Sequence, residues 1–193
     1  MFRTANESLL PSNASSRDEN TSFASKIEAT VQGLFPTFRF HSFVSYLSLT
    51  QIFVFLSTWL YSLSVAIKSR KYSDILQVSQ CTLYYFGASN ASAVRYGFQF
   101  HRLLLPIFLH AGFFHLFVNV FSQIQLLLII EQTDLLTPKL MIAFYFCCGV
   151  AATLGSMTFK PRSVSVGASG ALFGLFGFVC RELCLDGIHW RKK

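Results

Sequence analysis

The sequence predicts an all-α membrane protein, a polytopic bundle in which several helices cross the bilayer. Hydrophobic residues make up 52% of the 193 residues and charged residues only 13%, about half of the ~25% charge usual in soluble domains. Each of four segments without Asp, Glu, Lys or Arg approaches or exceeds the roughly 20 residues that a helix needs to cross a bilayer. No segment alternates apolar and polar residues as a transmembrane β-barrel requires. The four uncharged segments are Phe43–Ile67, Leu103–Ile130, Leu140–Phe159 and Ser163–Cys180.

The first 41 residues are predicted to form a disordered tail. They are rich in Ser, Asn, Thr and charges of both signs, and they contain no apolar run long enough to pack. They also lack the basic and then apolar pattern of a secretory signal peptide. We therefore expect a membrane domain over residues 42–185, whose first span is an uncleaved anchor, followed by a basic tail at residues 186–193.

The predicted spans are joined by connections of very different length. The segment Lys68–Arg102, between spans one and two, is rich in Tyr, Ser and small residues, a composition typical of a loop at headgroup level. Glu131–Lys139 joins spans two and three, and only residues 160–162 join spans three and four. Short connections make spans two, three and four antiparallel neighbours. The four spans cover about residues 43–67, 112–130, 140–159 and 163–185.

The net charge of +7 does not indicate a nucleic-acid partner, because Lys and Arg are scattered over loops and tails without a basic stripe. Nearly equal numbers of Lys and Arg residues fall on the two sides of the predicted bundle, so the positive-inside rule leaves the absolute orientation open. The five cysteines show no metal-type spacing.

Two polar clusters stand at the starts of spans two and four. The first is His110-Ala-Gly-Phe-Phe-His115-Leu-Phe-Val-Asn119, and the second is Gly167-Ala-Ser169-Gly170. Two antiparallel crossings separate the clusters, so both enter from the same face of the membrane and reach a similar depth. Because polar side chains inside a bilayer are costly, a functional site is the default interpretation.

Each cluster also has a plain structural interpretation. His115 and Asn119 lie one turn apart on one helix face, and Ser122 continues the stripe, so these residues could simply form interhelical hydrogen bonds. In span four, glycines at helical spacing favour close helix packing over a direct chemical role. These glycines are Gly170, Gly174 and Gly177.

Ser169 is the candidate nucleophile, because small residues flank it at a helix start, where backbone N–H groups are unpaired. Together with the imidazole of His115 and the carboxamide of Asn119, such donors could hold the negative oxygen of a tetrahedral intermediate. The motif is not the Gly-x-Ser-x-Gly elbow of soluble hydrolases, since Ala171 takes the place of the last glycine.

On these two clusters, the chain resembles the rhomboid family of intramembrane serine proteases over roughly Tyr96–Leu185. His110–Asn119 is similar to the second-span motif of the family, and Ser165–Gly174 is similar to its fourth-span motif. The resemblance implies a six-span fold and a reaction without metal or cofactor. It implies that Ser169 is the nucleophile, that the oxyanion hole consists of His115, Asn119 and the Ser169 backbone, and that His110, Gly167 and Gly170 have supporting roles.

The chain also departs from the family pattern. His101 replaces the tryptophan that usually precedes the arginine matched by Arg102, for which we expect a structural role. Rhomboids take their catalytic histidine from a sixth span, whereas this sequence has four predicted spans and stops at Lys193. A serine nucleophile needs a base within about 3 Å. No histidine in this sequence is well placed to serve as that base for Ser169. We therefore expect an incomplete gene model or a truncated family member.

Two functions follow from the resemblance. The first is hydrolysis of peptide bonds in transmembrane substrates through an acyl-enzyme on Ser169, provided that a histidine base is supplied. The alternative is a non-catalytic rhomboid-like protein that binds transmembrane clients. A channel would explain polar residues in the spans but not the Gly-Ala-Ser-Gly cluster. The expected location is an integral, multi-pass position in the plasma membrane or a secretory-pathway membrane.

Overall fold

The computed structural model describes residues 42–69, 76–132 and 136–190, and this part of the chain is an all-α bundle. It contains two isolated β-bridges but no β-strand within those residues. The all-α, polytopic fold predicted from the sequence is confirmed. The tail predicted over residues 1–41 lies outside the described residues.

Within the described residues, four long helices follow the order of the predicted spans: α1 (Phe43–Ser69), α4 (Phe113–Gln132), α5 (Pro138–Phe159) and α6 (Ser169–Trp190). Among the described residues, α1, α4 and α5 are long and apolar enough to cross a membrane. Helix α6 begins at Ser169 rather than at residue 163, and it continues through residues 186–190, which were predicted as part of the tail. The crossing of the bilayer by α6 stays a prediction.

The segment between α1 and α4 folds into short helical elements. Helices α2 (Gln80–Tyr85) and α3 (Ala91–Gly97) precede two 3₁₀ turns, Phe100–Leu103 and Leu105–Ile107. Side-chain caps start both helices: the Ser79 hydroxyl accepts from the Thr82 N–H, and the Asn90 carboxamide oxygen accepts from the Ala93 N–H at 2.8 Å. The local sequence therefore structures much of this insert.

Arg102 ties these short elements together. Its side chain is buried, and its guanidinium donates to the carbonyls of Tyr84 and Ala88 at 2.8 and 2.9 Å and to the Gln99 side chain. It also lies over the Tyr84 ring, 4.3 Å from the centroid. These contacts account for the structural role expected of Arg102.

Helices α5 and α6 approach closely because small residues line their interface. A Cβ atom added to Gly174 would lie 2.5 Å from Cys148 Sγ, and one added to Gly170 would collide with Ala152 Cβ. The predicted close packing is confirmed at these two glycines. It is wrong for Gly177, where a Cβ atom would meet nothing within 4 Å.

A buried polar cluster joins α1, α4 and α5. The Gln51 carboxamide donates to Gln123 Oε1 and to the Tyr145 hydroxyl, both at 3.3 Å, and to the Ile107 carbonyl at 3.4 Å. Tyr145 donates to Gln123 Oε1 at 2.7 Å, and Gln123 Nε2 donates to Ser48 Oγ at 3.0 Å. These mutual bonds satisfy polar groups that would otherwise be unpaired in an apolar core.

Candidate active site

The first turns of α4 carry His115 and Asn119 on one face. Asn119 is buried, and its Nδ2 donates to the His115 carbonyl at 2.8 Å, four residues back along the helix. One carboxamide hydrogen is therefore used within the helix. The second amide hydrogen stays available to a ligand, since a carboxamide nitrogen carries two.

The His115 ring is held by contacts on both of its edges. The Ala111 N–H donates to His115 Nδ1 at 3.4 Å, so Nδ1 is the acceptor nitrogen and the proton lies on Nε2. The opposite edge meets Gly167: a Cβ atom there would lie 2.8 Å from both Cε1 and Nε2 of His115. The protonated nitrogen thus faces the backbone just before α6.

The backbone before α6 needs a glycine at this position. Gly167 has a φ of +117°, a conformation that residues with a side chain rarely adopt. Any side chain would also displace the His115 ring, and the Asn119 Nδ2 is only 3.8 Å from the same point. Three residues of the predicted site, His115, Asn119 and Gly167, therefore lie close together.

Ser169 is the first residue of α6 and is half-buried. No other residue in the described part of the chain forms a hydrogen bond with its hydroxyl. Its position in the first turn leaves its backbone N–H without an intrahelical partner. The hydroxyl and this N–H are both available to a bound group.

A cavity of about 580 Å³ brings His115, Asn119 and Ser169 together. The remaining wall comes from α4 and α6 and is largely apolar, with Ser122 and Gln125 as further polar members. In apolar surroundings, hydrogen bonds to a developing negative charge are stronger than in water. The cavity therefore combines a hydroxyl and several N–H donors in a setting suited to stabilising an oxyanion.

His110 lies beside this cavity rather than in its wall. The ring is fully buried, its centroid is 5.3 Å from that of His115, and its Nδ1 is 3.3 Å from the Phe108 carbonyl oxygen. Burial, with a smaller contribution from His115, lowers the pKa of His110 to about 4. The ring is thus neutral at neutral pH, with Nδ1–H as the donor to Phe108. Within the described residues, its Nε2 has no hydrogen-bond partner.

Gly170 is also placed apart from the cavity. It packs against Ala152 of α5, on the side of α6 that contacts the bundle. Its contribution to the site is indirect, through the close approach of the two helices.

Sequence reasoning missed one residue that lines the cavity and two residues that hold the backbone leading to Ser169. Gln125 lines the cavity, and its polarity within an apolar span was a usable signal. Ser89 and Pro106 hold the backbone ahead of Ser169 through hydrogen bonds. No sequence pattern could have found these two, because they contact residues more than 50 positions away.

Residues 97–192 match the family model described as the Rhomboid domain. Rhomboid-like protease 1 of Toxoplasma gondii is 40% identical over 111 residues, which is 57% of this chain and 36% of that protein. Rhomboid-like protease 2 of the same organism is 31% identical over 156 residues, 80% of this chain and 52% of that protein.

A further relative is described as inactive. Inactive RHOMBOID-like protein 8 of Arabidopsis thaliana is 30% identical over 121 residues, 63% of this chain and 34% of that protein. The chain spans between about a third and about half of the length of these three relatives. No solved structure matches.

Proposed function

Because the chain belongs to the rhomboid family, we propose that it acts as an intramembrane serine protease that hydrolyses peptide bonds of transmembrane proteins. The protein is an integral membrane protein, as its apolar helices and its family require. Proteins described as rhomboid-like proteases are among its relatives. A plasma membrane or secretory-pathway location remains our prediction.

The observation that carries the proposal is that His115, Asn119 and Ser169 line one cavity, with Gly167 packed against the His115 ring. In the proposed reaction, the Ser169 Oγ attacks the scissile carbonyl carbon as a general base takes the hydroxyl proton, and a tetrahedral intermediate forms. Its oxyanion accepts hydrogen bonds from His115 Nε2–H, Asn119 Nδ2–H and the Ser169 N–H. Collapse of the intermediate breaks the C–N bond, and the protonated base gives its proton to the leaving amine. Water then hydrolyses the acyl-enzyme, which releases the carboxyl product and restores the Ser169 hydroxyl.

His115 suits the oxyanion hole better than the role of general base. Its Nδ1 accepts from the Ala111 N–H, so the nitrogen that faces the site carries a proton and cannot remove another. No base is hydrogen-bonded to the Ser169 hydroxyl within the described residues. The proposal therefore requires a histidine base from a part of the protein outside these residues.

Covalent labelling with a fluorophosphonate probe tests the proposal in the full-length protein, reconstituted in lipid. We expect labelling that Ser169→Ala abolishes. Asn119→Ala should lower the labelling rate by about 10²-fold or more, the usual loss on removal of an oxyanion donor. Ser163→Ala is the matched control, because Ser163 is an exposed serine on the connection before α6. Labelling of wild type that equals labelling of Ser169→Ala would contradict the proposal.

The second candidate function is binding of transmembrane clients without cleavage. Two observations favour it: the absence of a base bonded to Ser169 within the described residues and the similarity to a protein described as inactive. Client capture that persists in Ser169→Ala, in a protein that the probe does not label, would support this alternative. Cleavage of a transmembrane reporter by wild type but not by Ser169→Ala would exclude it.

A further inference from the structure

Ser89 pairs with the backbone just ahead of the candidate nucleophile. The Ser89 N–H donates to the Ser165 carbonyl at 3.1 Å, and the Ser165 N–H donates to the Ser89 hydroxyl at 2.9 Å. Ser89 is 1% exposed, so water cannot readily replace these bonds. The pairing joins the insert between α1 and α4 to the connection that leads into α6.

A second bond from the insert holds the same connection two residues further on. The Gly167 N–H donates to the Pro106 carbonyl at 2.8 Å. Gly167 is the residue at positive φ that lies against the His115 ring. The backbone between Ser165 and Gly167 is thus held at both ends by the insert, immediately before Ser169.

The insert can hold this connection because it is itself anchored near Ser89. The preceding residue, Ala88, is buried, and its carbonyl accepts from Arg102 at 2.9 Å. Gly87, at a φ of +101°, forms the turn that leads from α2 into this stretch. A buried arginine and a tight turn therefore limit the movement of Ser89.

We propose that Ser89 is a positioning residue for Ser169, which it serves by holding the backbone of Ser165 and hence the approach of Gly167 to His115. Ser89 does not line the cavity, so its effect is exerted through the connection before α6. The catalytic consequence rests on the proposed function, whereas the effect on the backbone does not. Loss of the hydroxyl would leave the Ser165 N–H without its acceptor and allow this connection to move.

Two measurements on the full-length protein test the proposal: amide hydrogen exchange of Ser165 and Gly167, and the kinetics of fluorophosphonate labelling. Ser89→Ala should raise the exchange rate of the Ser165 amide about tenfold, as expected for loss of a protecting hydrogen bond. It should also lower the maximal labelling rate about tenfold, while the probe concentration that gives half of this rate stays unchanged. Ser89→Thr retains the hydroxyl and should restore both values.

Ser163→Ala is the matched control. Ser163 lies on the same connection, but its hydroxyl donates to the Lys160 carbonyl and is exposed. This variant should change neither measurement. Exchange of amides within α4 serves as a check on folding in every variant.

Unchanged Ser165 exchange in Ser89→Ala would overturn the inference, and so would faster exchange with an unchanged labelling rate. If Ser89→Thr fails to fold, the exchange and labelling rates of Ser89→Ala, compared with those of Ser163→Ala, still test whether Ser89 positions Ser169. If the wild-type protein is not labelled, the proposed function fails. The exchange comparison then decides by itself whether Ser89 holds the connection.

Discussion

At the scale of single residues, hydrogen bonds fix the tautomer of His115 and the orientation of the Asn119 carboxamide. His115 accepts at Nδ1 and therefore presents a proton at Nε2, and Asn119 spends one amide hydrogen on the His115 carbonyl. Both side chains are consequently oriented before any ligand arrives. In the proposed reaction, donors that are already oriented would need no rearrangement as negative charge develops on the substrate oxygen.

His110 should make the stability of the protein depend on pH. Its pKa is lowered to about 4 by burial in the folded protein, whereas a histidine in an unfolded chain titrates near 6.5. The unfolded state binds more protons between these values, so this contribution to stability is present above about pH 6.5 and is lost as the pH falls toward 4.

We expect His110→Asn to reduce the acid sensitivity. Asn can still donate to the Phe108 carbonyl, but it does not titrate. Between pH 7 and pH 4, the variant should lose about 3 kcal/mol less free energy of unfolding than the wild type. Denaturant unfolding in detergent micelles at both pH values measures this difference. Equal losses in the two proteins would show that His110 does not titrate as its burial predicts.

At the scale of helices, α6 reaches its position through small residues. Gly174 faces Cys148 and Gly170 faces Ala152 on α5, and the absence of side chains at these glycines lets the two backbones approach. Since Ser169 is the first residue of α6, the same contacts control where the candidate nucleophile lies. Packing and site geometry are thus coupled within one helix.

Gly174→Ala should separate α5 from α6 and destabilise the protein by about 1–3 kcal/mol, the usual cost of overpacking. Its Cβ would lie 2.5 Å from Cys148 Sγ. Thermal unfolding in detergent provides the measurement. Gly177→Ala is the control, because its Cβ would enter open space.

The double variant Gly174→Ala with Cys148→Gly tests whether this particular contact is responsible. Removal of the Cys148 side chain vacates the space that the new methyl group needs. The double variant should therefore lose less stability than the sum of the two single variants. Strict additivity would place the origin of the destabilisation elsewhere.

At the scale of the whole molecule, buried hydrogen bonds join helices that the sequence only orders along the chain. The cluster of Gln51, Gln123 and Tyr145 connects α1, α4 and α5, and Gln51 also reaches the Ile107 carbonyl of the insert. Because lipid supplies no alternative partners, these bonds select one rotation of each helix about its axis.

Gln123→Leu should lower the free energy of unfolding by about 1–3 kcal/mol, because it deprives Tyr145 and Gln51 of buried partners. Gln125→Leu is the control on the same helix, since Gln125 is exposed and faces the cavity. Unfolding of both variants under one set of detergent conditions gives the comparison. Equal stability of Gln123→Leu and the wild type would mean that the hydrogen bonds of Gln123 contribute no net stabilisation.

The amino-acid sequence was enough to predict the all-α membrane class and the order of the helices, and to locate the two polar clusters at the starts of spans two and four. These predictions rest on the length of the uncharged segments, the helical spacing of residues and the number of membrane crossings between the clusters. Such properties are local or additive along the chain, so they follow from the sequence without a structure. The same reasoning made His115, Asn119 and Ser169 candidate site residues, because polar groups inside apolar spans are conspicuous. The structure places all three at one cavity, and their catalytic roles stay a proposal.

The packing of the helices was needed to learn which of these groups lie together and which contacts hold them in place. In the structure, Gly170 and His110 lie outside the wall of the cavity, and Gly177 lies outside the interface between α5 and α6. The structure also shows the hydrogen bonds of Ser89 and Gln123. The physical reason is that such contacts join residues far apart in sequence. Their formation depends on the rotation and spacing of whole helices, which no local pattern of residues specifies.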